Sequence, residues 1–222
     1  MTGRRTPCMP KGVILDMDGL MLDTERLEIG AFIRVCEEMA QPISEAMLRS
    51  TIGITDDAAE ELYLAEYGRN YPYREIWNRT RRRITELGER GGIPHRPGLL
   101  ALLDHLGRLG IPLAVATSAN RERARWKLEK AGILERFRFL ACGDEVAASK
   151  PAPDVFLLAL ERLGEQAEDC VGFEDSPAGL KALAAAGIPS VFVKDQAEPS
   201  KEVLSTVWRR CADLTEAAEL FG

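Results

Sequence analysis

The fold of this chain is decided by the stretch VILDMDGLMLD, residues 13–23. Its first three residues, Val13–Leu15, form a short unbroken apolar run, which is typical of a strand buried on both faces of a parallel sheet. Asp16 and Asp18 follow directly, and Gly19 comes next. Two carboxylates at a buried strand end repel each other and lose hydration, so the pattern indicates a bound cation or a reacting group. Taken alone, it is equally typical of a strand that ends in an acidic turn.

Two later stretches place polar groups at the ends of apolar runs. LAVATS, residues 113–118, ends in hydroxyl groups, and CVGFEDS, residues 170–176, ends in Glu174 and Asp175 before a serine. Lys150 lies between them in SKPAPDVF. Carboxylates, hydroxyls and a lysine are the groups that a phosphoryl-transfer site needs. Two alternatives stay open at this point: the two acids could simply begin a helix, where acids are favoured, and Lys150 could lie in an exposed turn.

The chain alternates between predicted helices and strands from Pro97 onward. Such alternation indicates a parallel sheet with helices on both faces. Because the carboxyl ends of parallel strands share one edge, we expect Asp16, Thr117 and Asp175 to face the same crevice. The predicted strands are residues 113–116, 137–141, 170–173 and 190–193, and the predicted helices are residues 99–109, 121–131, 154–163 and 178–186.

The segment between the first two predicted strands has a different pattern. Apolar residues recur there every four positions, first at Leu27, Ala31, Val35 and Met39, and four helices are predicted without a strand between them. We therefore predict an α/β protein with a doubly wound, Rossmann-like parallel-sheet core and an inserted all-helical domain. The core comprises residues 1–23 and 94–222, and the insertion comprises residues 24–93.

Composition places the chain among ordinary globular proteins. Of its 222 residues, 45% are hydrophobic and 29% are charged, which is enough apolar material for a substantial core. The net charge of −6 argues against a general nucleic-acid binder, whose surface would be basic. No long apolar stretch follows Arg4 and Arg5, so we predict neither a signal peptide nor a membrane span.

The numbers and spacing of the cysteines and histidines bear on the cellular compartment of the protein and on the kind of metal site that it can form. The five cysteines are scattered without a C-x-x-C pair, which favours reduced thiols in a cytoplasmic protein. The two histidines, His95 and His105, are too few for a histidine-rich zinc site. We expect a cytoplasmic monomer.

Four motifs, taken in order, resemble those of the haloacid dehalogenase superfamily of phosphohydrolases. They are VILDMDG, AVATS, the lysine of SKPAPDVF, and GFEDSPAG. The helical insertion after the first motif resembles the small cap domain of the β-phosphoglucomutase-like subgroup. The resemblance covers about residues 12–195 and implies a phosphotransfer enzyme whose cap closes to exclude water.

The resemblance also implies a role for each polar residue at the predicted edge. Asp16 is expected to be the nucleophile that forms an aspartyl phosphate, and Asp18 is expected to be the general acid and base. The expected cofactor is Mg²⁺, which prefers oxygen ligands. Its ligands would be Asp16, Asp18 through the main-chain carbonyl, Glu174 and Asp175, and the phosphate-binding groups would be Thr117, Ser118 and Lys150.

Three functions remain under consideration. The leading one is a Mg²⁺-dependent phosphatase of small phosphorylated metabolites, with sugar phosphates as the favoured class. The second is a phosphosugar mutase, although resembling mutases carry a histidine where this chain has Glu28 and an arginine where it has residues 54–56. The third is a non-catalytic binding protein, which should have lost at least one motif group, and none is lost. The phosphonatase branch uses a cap lysine, and residues 24–93 contain no lysine.

Overall fold

The protein divides into two compact units. The computed structural model describes residues 9–51, 56–195 and 198–221. One unit contains the described residues up to Asp23 and from Ile93 onward, and the other is Thr24–Gly92. None of the helices in these ranges is both long and apolar enough to cross a membrane.

Among the described residues, six strands form one parallel sheet. Their order across the sheet is β3-β2-β1-β4-β5-β6, so the chain builds one half outward from β1 and then crosses back to build the other. This doubly wound arrangement confirms the predicted α/β class. The sequence does not predict β6, because two of its three residues are arginines. The strands are β1 (Gly12–Leu15), β2 (Leu113–Ala116), β3 (Phe139–Ala141), β4 (Cys170–Glu174), β5 (Ser190–Val193) and β6 (Arg209–Cys211).

β1 occupies the centre of the sheet and is bonded on both sides. Ile14 pairs with Ala114 of β2 and with Gly172 of β4. All four residues of β1 are buried, which is why the strand has no polar alternation. Because β1, β2 and β4 are parallel neighbours, their carboxyl ends lie side by side at one edge.

The unit Thr24–Gly92 is helical throughout its described elements. Its interior is aromatic: the rings of Tyr63 and Tyr71 stack with centroids 5.6 Å apart, and Phe32 packs on Tyr63 at 5.4 Å. Such ring pairs contribute stability beyond the area that they bury. Residues 52–55 lie outside the described residues. The structure therefore describes only part of residues 54–56, the positions at which resembling mutases carry an arginine. The helices are α1 (Thr24–Glu38), α2 (Glu45–Ser50), α3 (Asp56–Tyr67) and α4 (Tyr73–Gly91).

The remaining helices flank the sheet. Two of them begin immediately beyond strands β2 and β4, and each has a side-chain cap. Asn120 Oδ1 accepts the Arg123 N–H at 2.9 Å, and Ser176 Oγ accepts the Gly179 N–H at 3.0 Å. Both helices therefore direct their N-terminal ends toward the carboxyl edge of the sheet. The helices are α5 (Leu99–Arg108), α6 (Arg121–Lys130), α7 (Asp154–Leu163), α8 (Pro177–Ala186), α9 (Lys201–Ser205) and α10 (Leu214–Ala218).

The two chain segments that lead into and out of the helical insertion are hydrogen-bonded to each other. Leu22 forms an antiparallel bridge with His95, and the Asp23 N–H donates to Pro94 O at 2.9 Å. The Arg96 N–H donates to Met21 O, also at 2.9 Å. The insertion therefore leaves and re-enters the sheet unit at adjacent points.

A cluster of Glu145, Arg121 and Arg162 stabilises the chain that follows β3. Glu145 accepts from Arg121 at 2.9 Å and from Arg162 at 2.7 Å, and its Oε2 accepts the Cys142 N–H at 3.0 Å. These contacts lower the pKa of Glu145 to about 2, with the Arg162 hydrogen bond as the largest cause. Cys142, Asp144 and Glu145 lie close enough together to suggest a metal site, but the two guanidinium groups already neutralise Glu145.

We predict that Glu145→Gln lowers the free energy of unfolding at pH 7 by about 1–2 kcal/mol, because the variant loses charge-assisted hydrogen bonds. A carboxylate whose folded pKa is depressed contributes stability above its unfolded pKa, here 4.5, and loses it as the pH falls toward about 2. Denaturant unfolding between pH 7 and pH 3 should therefore show the difference from the parent shrinking below pH 4.5. Glu168→Gln, at an exposed position, is the control. A difference that stays constant with pH would contradict the prediction.

Candidate active site

The three strand ends at the centre of the sheet bring the predicted polar residues together. Asp16 follows β1, Thr117 follows β2, and Asp175 follows β4. The Asp16 N–H donates to Phe173 O at 3.1 Å, and the Thr117 N–H donates to Ala141 O at 3.0 Å, so both residues extend the sheet ladder. All three polar residues are buried. The sheet therefore fixes their backbones before any ligand arrives.

Lys150 lies at the centre of this group. Its Nζ donates to Asp16 Oδ1 at 2.5 Å, to Glu174 Oε1 at 2.7 Å and to Ala116 O at 3.2 Å. The side chain is 7% exposed. The alternative that this lysine lies in an exposed turn is therefore wrong. One ammonium group bonds to residues at the ends of β1, β2 and β4.

Burial and charge act in opposite directions on Asp16 and Lys150. Burial raises the pKa of Asp16 to about 7, although the adjacent Lys150 charge opposes the shift. Burial also disfavours a charged Lys150, but Asp16 and Glu174 outweigh it and raise the lysine pKa. Lys150 is therefore a permanent cation in the site. A nucleophilic Asp16 must be ionised at neutral pH, and further positive charge beside it would favour that form.

Glu174 has both of its carboxylate oxygens engaged. Oε1 accepts from Lys150, and Oε2 accepts the backbone N–H groups of Asp175 and Ser176 at 2.9 and 2.8 Å. Gly179 permits this position, because a methyl group there would overlap the Glu174 carboxylate. These contacts favour a supporting role, in which Glu174 holds Lys150 and the turn after β4, over the predicted role as a metal ligand.

The turn after β1 packs closely against Asp175. Gly19 has a positive φ of 86°, and a Cβ on it would lie 2.5 Å from Asp175 Oδ2. Glycine is required here both for the left-handed conformation and for the close approach. Asp16 and Asp175 thus offer buried carboxylate oxygens beside the same turn, which is the hard-oxygen donor set that Mg²⁺ prefers. The residues present fit that ion.

Two of the three predicted phosphate-binding residues, Thr117 and Ser118, lie just before the N-terminal end of α6. Thr117 is buried, and its Oγ1 accepts the Ala119 N–H at 3.1 Å, so the hydroxyl orientation is fixed while its proton can still be donated. Ser118 follows with an exposed side chain. The N-terminal end of a ten-residue helix carries partial positive charge, which suits an anion.

Sequence reasoning missed one residue of this site. Lys127, on α6, is buried, and its Nζ donates to Asp18 Oδ1 at 2.5 Å. The sequence RERARWKLEK has many charges, and most lysines on such helices are solvated. The available signal was the helical spacing, because Lys127 lies three residues after buried Ala124 and directly before buried Leu128.

The chain is similar to known proteins over most of its length. The family model described as haloacid dehalogenase-like hydrolase matches residues 13–193. A phosphorylated carbohydrates phosphatase from Thermotoga maritima is 32% identical over 187 residues, covering 82% of this chain and 84% of that protein. A crystal structure of a putative β-phosphoglucomutase from Thermotoga maritima superposes with a TM-score of 0.79 at 28% identity, covering 95% and 96% of the two chains. The CbbY protein from Rhodobacter sphaeroides, solved in complex with phosphate, superposes with a TM-score of 0.74 at 27% identity, covering 94% and 96%.

We predict that Gly179→Ala destabilises the protein by about 1–3 kcal/mol, because the added methyl group overlaps the Glu174 carboxylate and displaces it from Lys150. Thermal and denaturant unfolding measure the effect. Gly107→Ala is the matched control: Gly107 also lies in a helix of the sheet unit, and nothing stands within 4 Å of the added methyl group. Equal stability of the two variants would show that the Glu174 position does not depend on Gly179.

Proposed function

We propose that this chain, which belongs to the haloacid dehalogenase-like hydrolases, is a phosphatase that releases phosphate from small phosphorylated metabolites, with sugar phosphates as the favoured class. The observation that carries the proposal is the Lys150 contact with Asp16 and Glu174 at the shared edge of β1, β2 and β4. The name of the Thermotoga maritima relative, a phosphorylated carbohydrates phosphatase, supports the substrate class.

The first step uses Asp16 as the nucleophile. A carboxylate oxygen of Asp16 attacks phosphorus, the bond from phosphorus to the substrate oxygen breaks, and an acyl phosphate forms on Asp16. Lys150 and Thr117 hold the phosphoryl oxygens, with the N-terminal end of α6 behind them. Asp18 gives its proton to the departing alkoxide.

The second step reverses the role of Asp18. Its carboxylate, now ionised, takes a proton from a water molecule, and the water oxygen bonds to phosphorus as the Asp16–phosphorus bond breaks. Free phosphate leaves and Asp18 is protonated again for the next turnover. One pair of aspartates two residues apart therefore divides the chemistry, with Asp16 forming bonds to phosphorus and Asp18 moving protons.

Mg²⁺ is the proposed cofactor. Asp16 and Asp175 would hold it through carboxylate oxygens, with the carbonyl of Asp18 as a third protein ligand, while Glu174 supports Lys150 instead. When bound, the ion supplies positive charge that stabilises the ionised form of Asp16 and the charge on the transferring phosphoryl group. This matches the need for added positive charge beside the buried Asp16.

The remaining proposals concern the surroundings of the site. The helical unit Thr24–Gly92 is proposed to be the cap that sets substrate choice. The four described cysteines are free, which fits the cytoplasmic location that we propose. The monomeric state stays a prediction.

A phosphosugar mutase is the second candidate, and its supporting observation is the likeness to a putative β-phosphoglucomutase. A mutase must keep water from its aspartyl phosphate and hold a second phosphate. Glu28 stands where resembling mutases have a histidine near the hinge. Asp56 stands near the position at which they carry the arginine that holds the second phosphate, and a carboxylate there would repel a phosphate. A non-catalytic binding protein is disfavoured, because Asp16, Asp18, Lys150 and Asp175 are all retained.

We predict steady release of inorganic phosphate from sugar monophosphates, with no need for a bisphosphate activator. The protein is incubated with a panel that includes glucose 1-phosphate and glucose 6-phosphate, and free phosphate and isomer interconversion are both followed. Asp16→Asn should lower turnover on the order of 1,000-fold or more while the fold survives, and Asp104→Asn, at a surface ion pair, should retain activity. Isomer interconversion that is faster than phosphate release would make phosphosugar mutase, and not phosphatase, the better supported function. Near-parental activity in Asp16→Asn would show that another group attacks phosphorus.

We also predict that phosphate release depends on Mg²⁺. Exhaustive chelation should abolish turnover, and added Mg²⁺ should restore it, because the two buried carboxylates Asp16 and Asp175 need a cation between them and the substrate dianion. Asp175→Asn should weaken the response to Mg²⁺, so that more metal is needed for half-maximal rate. Full activity after chelation would overturn the proposed cofactor.

A further inference from the structure

Lys127 occupies an unusual place for a lysine on a charged helix. Its side chain is 6% exposed, while Asp18 is 33% exposed. Its ammonium group donates to Asp18 Oδ1 at 2.5 Å. Burying a lysine is costly unless a carboxylate compensates the charge, so the position of Lys127 depends on Asp18.

The geometry of α6 directs this side chain toward the site. Lys127 lies six residues after Arg121, about 9 Å along the helix axis. Side chains on a helix lean toward its N-terminal end, and that end of α6 faces the carboxyl edge of the sheet. Ala124, one turn earlier on the same face, is fully buried, so this face of α6 packs against the rest of the sheet unit. The helix whose N-terminal end faces the proposed phosphate site therefore also carries Lys127, the cation that contacts Asp18.

We propose that Lys127 is a positioning residue that holds Asp18 in the orientation required for proton transfer. The inference rests on the proposed function, because it assigns a partner to the proposed general acid and base. The Lys127 ammonium group holds Asp18 Oδ1 and therefore restricts rotation of the Asp18 carboxylate. In the proposed first step Asp18 gives a proton to the leaving alkoxide, and in the second step it takes a proton from water.

This arrangement gives Lys127 and Lys150 separate tasks. Lys150 contacts Asp16 and Glu174, so its charge acts on the attacking carboxylate and the phosphoryl group. Lys127 contacts the carboxylate that moves protons. A fixed orientation matters most for a group that must reach the leaving oxygen and then a water molecule, because a small misplacement lowers proton-transfer rates strongly.

The test compares Lys127→Met with the parent, with Lys127→Arg, and with Arg125→Met, which removes a cation from an exposed position of the same helix. The substrates are the sugar monophosphate of the panel with the highest kcat/KM and p-nitrophenyl phosphate. Lys127→Met should lower kcat on the sugar phosphate by about 10- to 100-fold with KM changed less than about threefold, since general acid–base catalysis contributes factors of that size or more. Lys127→Arg should recover part of the loss, and Arg125→Met should match the parent.

Two comparisons separate a positioning role from a structural one. The value of kcat/KM reports the step in which the leaving group departs, and p-nitrophenolate departs without a proton, so Lys127→Met should lose much less on p-nitrophenyl phosphate. In an Asp18→Asn background, Lys127→Met should cost less than about threefold, because both changes remove the same function. Thermal unfolding of each variant checks that the fold is intact.

The outcomes distinguish this inference from the proposed function. A parent protein that releases no phosphate from any panel member overturns the proposed function, and the inference falls with it. An active parent with an equally active Lys127→Met variant overturns the inference alone. Equal losses on the two substrates, or full additivity with Asp18→Asn, would also overturn it, because Lys127 would then act independently of Asp18.

Discussion

The buried Lys150 ammonium group is the contact on which the site depends. It neutralises carboxylates that burial would otherwise make too costly to keep charged, and it joins the ends of three strands through Asp16, Ala116 and Glu174. Removing the lysine would leave two buried carboxylates facing each other without a cation. The proposed catalytic charge and the local stability of the site therefore come from the same interaction, and the position of Asp16, the proposed nucleophile, depends on the packing around Lys150.

Hydrogen-bonded turns extend that arrangement outward. Glu174 ties Lys150 to the backbone of the turn before α8, and the absence of a side chain at Gly179 and Gly19 lets carboxylates approach these turns closely. On the other side of the site, α6 begins at a capped N-terminus next to Thr117. Two different helix starts thus border one crevice, so the partial positive charges of the helix N-termini add to the charge of the Lys150 side chain in attracting an anion.

The sequence was sufficient for the sheet and for the acidic edge, because those features follow from local rules. Unbroken apolar runs predicted β1, β2, β4 and β5, and their polar ends predicted which residues meet. The sequence was insufficient for β6, because Arg209 and Arg210 do not form the apolar run expected of a buried strand. This strand forms because it pairs with β5, a tertiary contact that no local periodicity indicates. Lys127 was missed for a related reason: helical spacing can place it on the buried face of α6, but it cannot identify Asp18, 109 positions away, as its partner. The sequence likewise could not predict that Glu174 accepts a hydrogen bond from Lys150, because that bond is a tertiary contact.

The paired segments around Leu22 and His95 have a consequence for the history of the protein. Because the chain leaves and re-enters the sheet unit at hydrogen-bonded neighbours, the insertion closes a loop whose ends are already joined. The entropy needed to close such a loop rises only slowly with its length. A gene could therefore exchange, lengthen or shorten this segment while Asp16, Lys150 and Asp175 kept their places. On the proposal that this segment sets substrate choice, new substrates could be acquired by replacing one module, without rebuilding the residues at the ends of β1, β2 and β4.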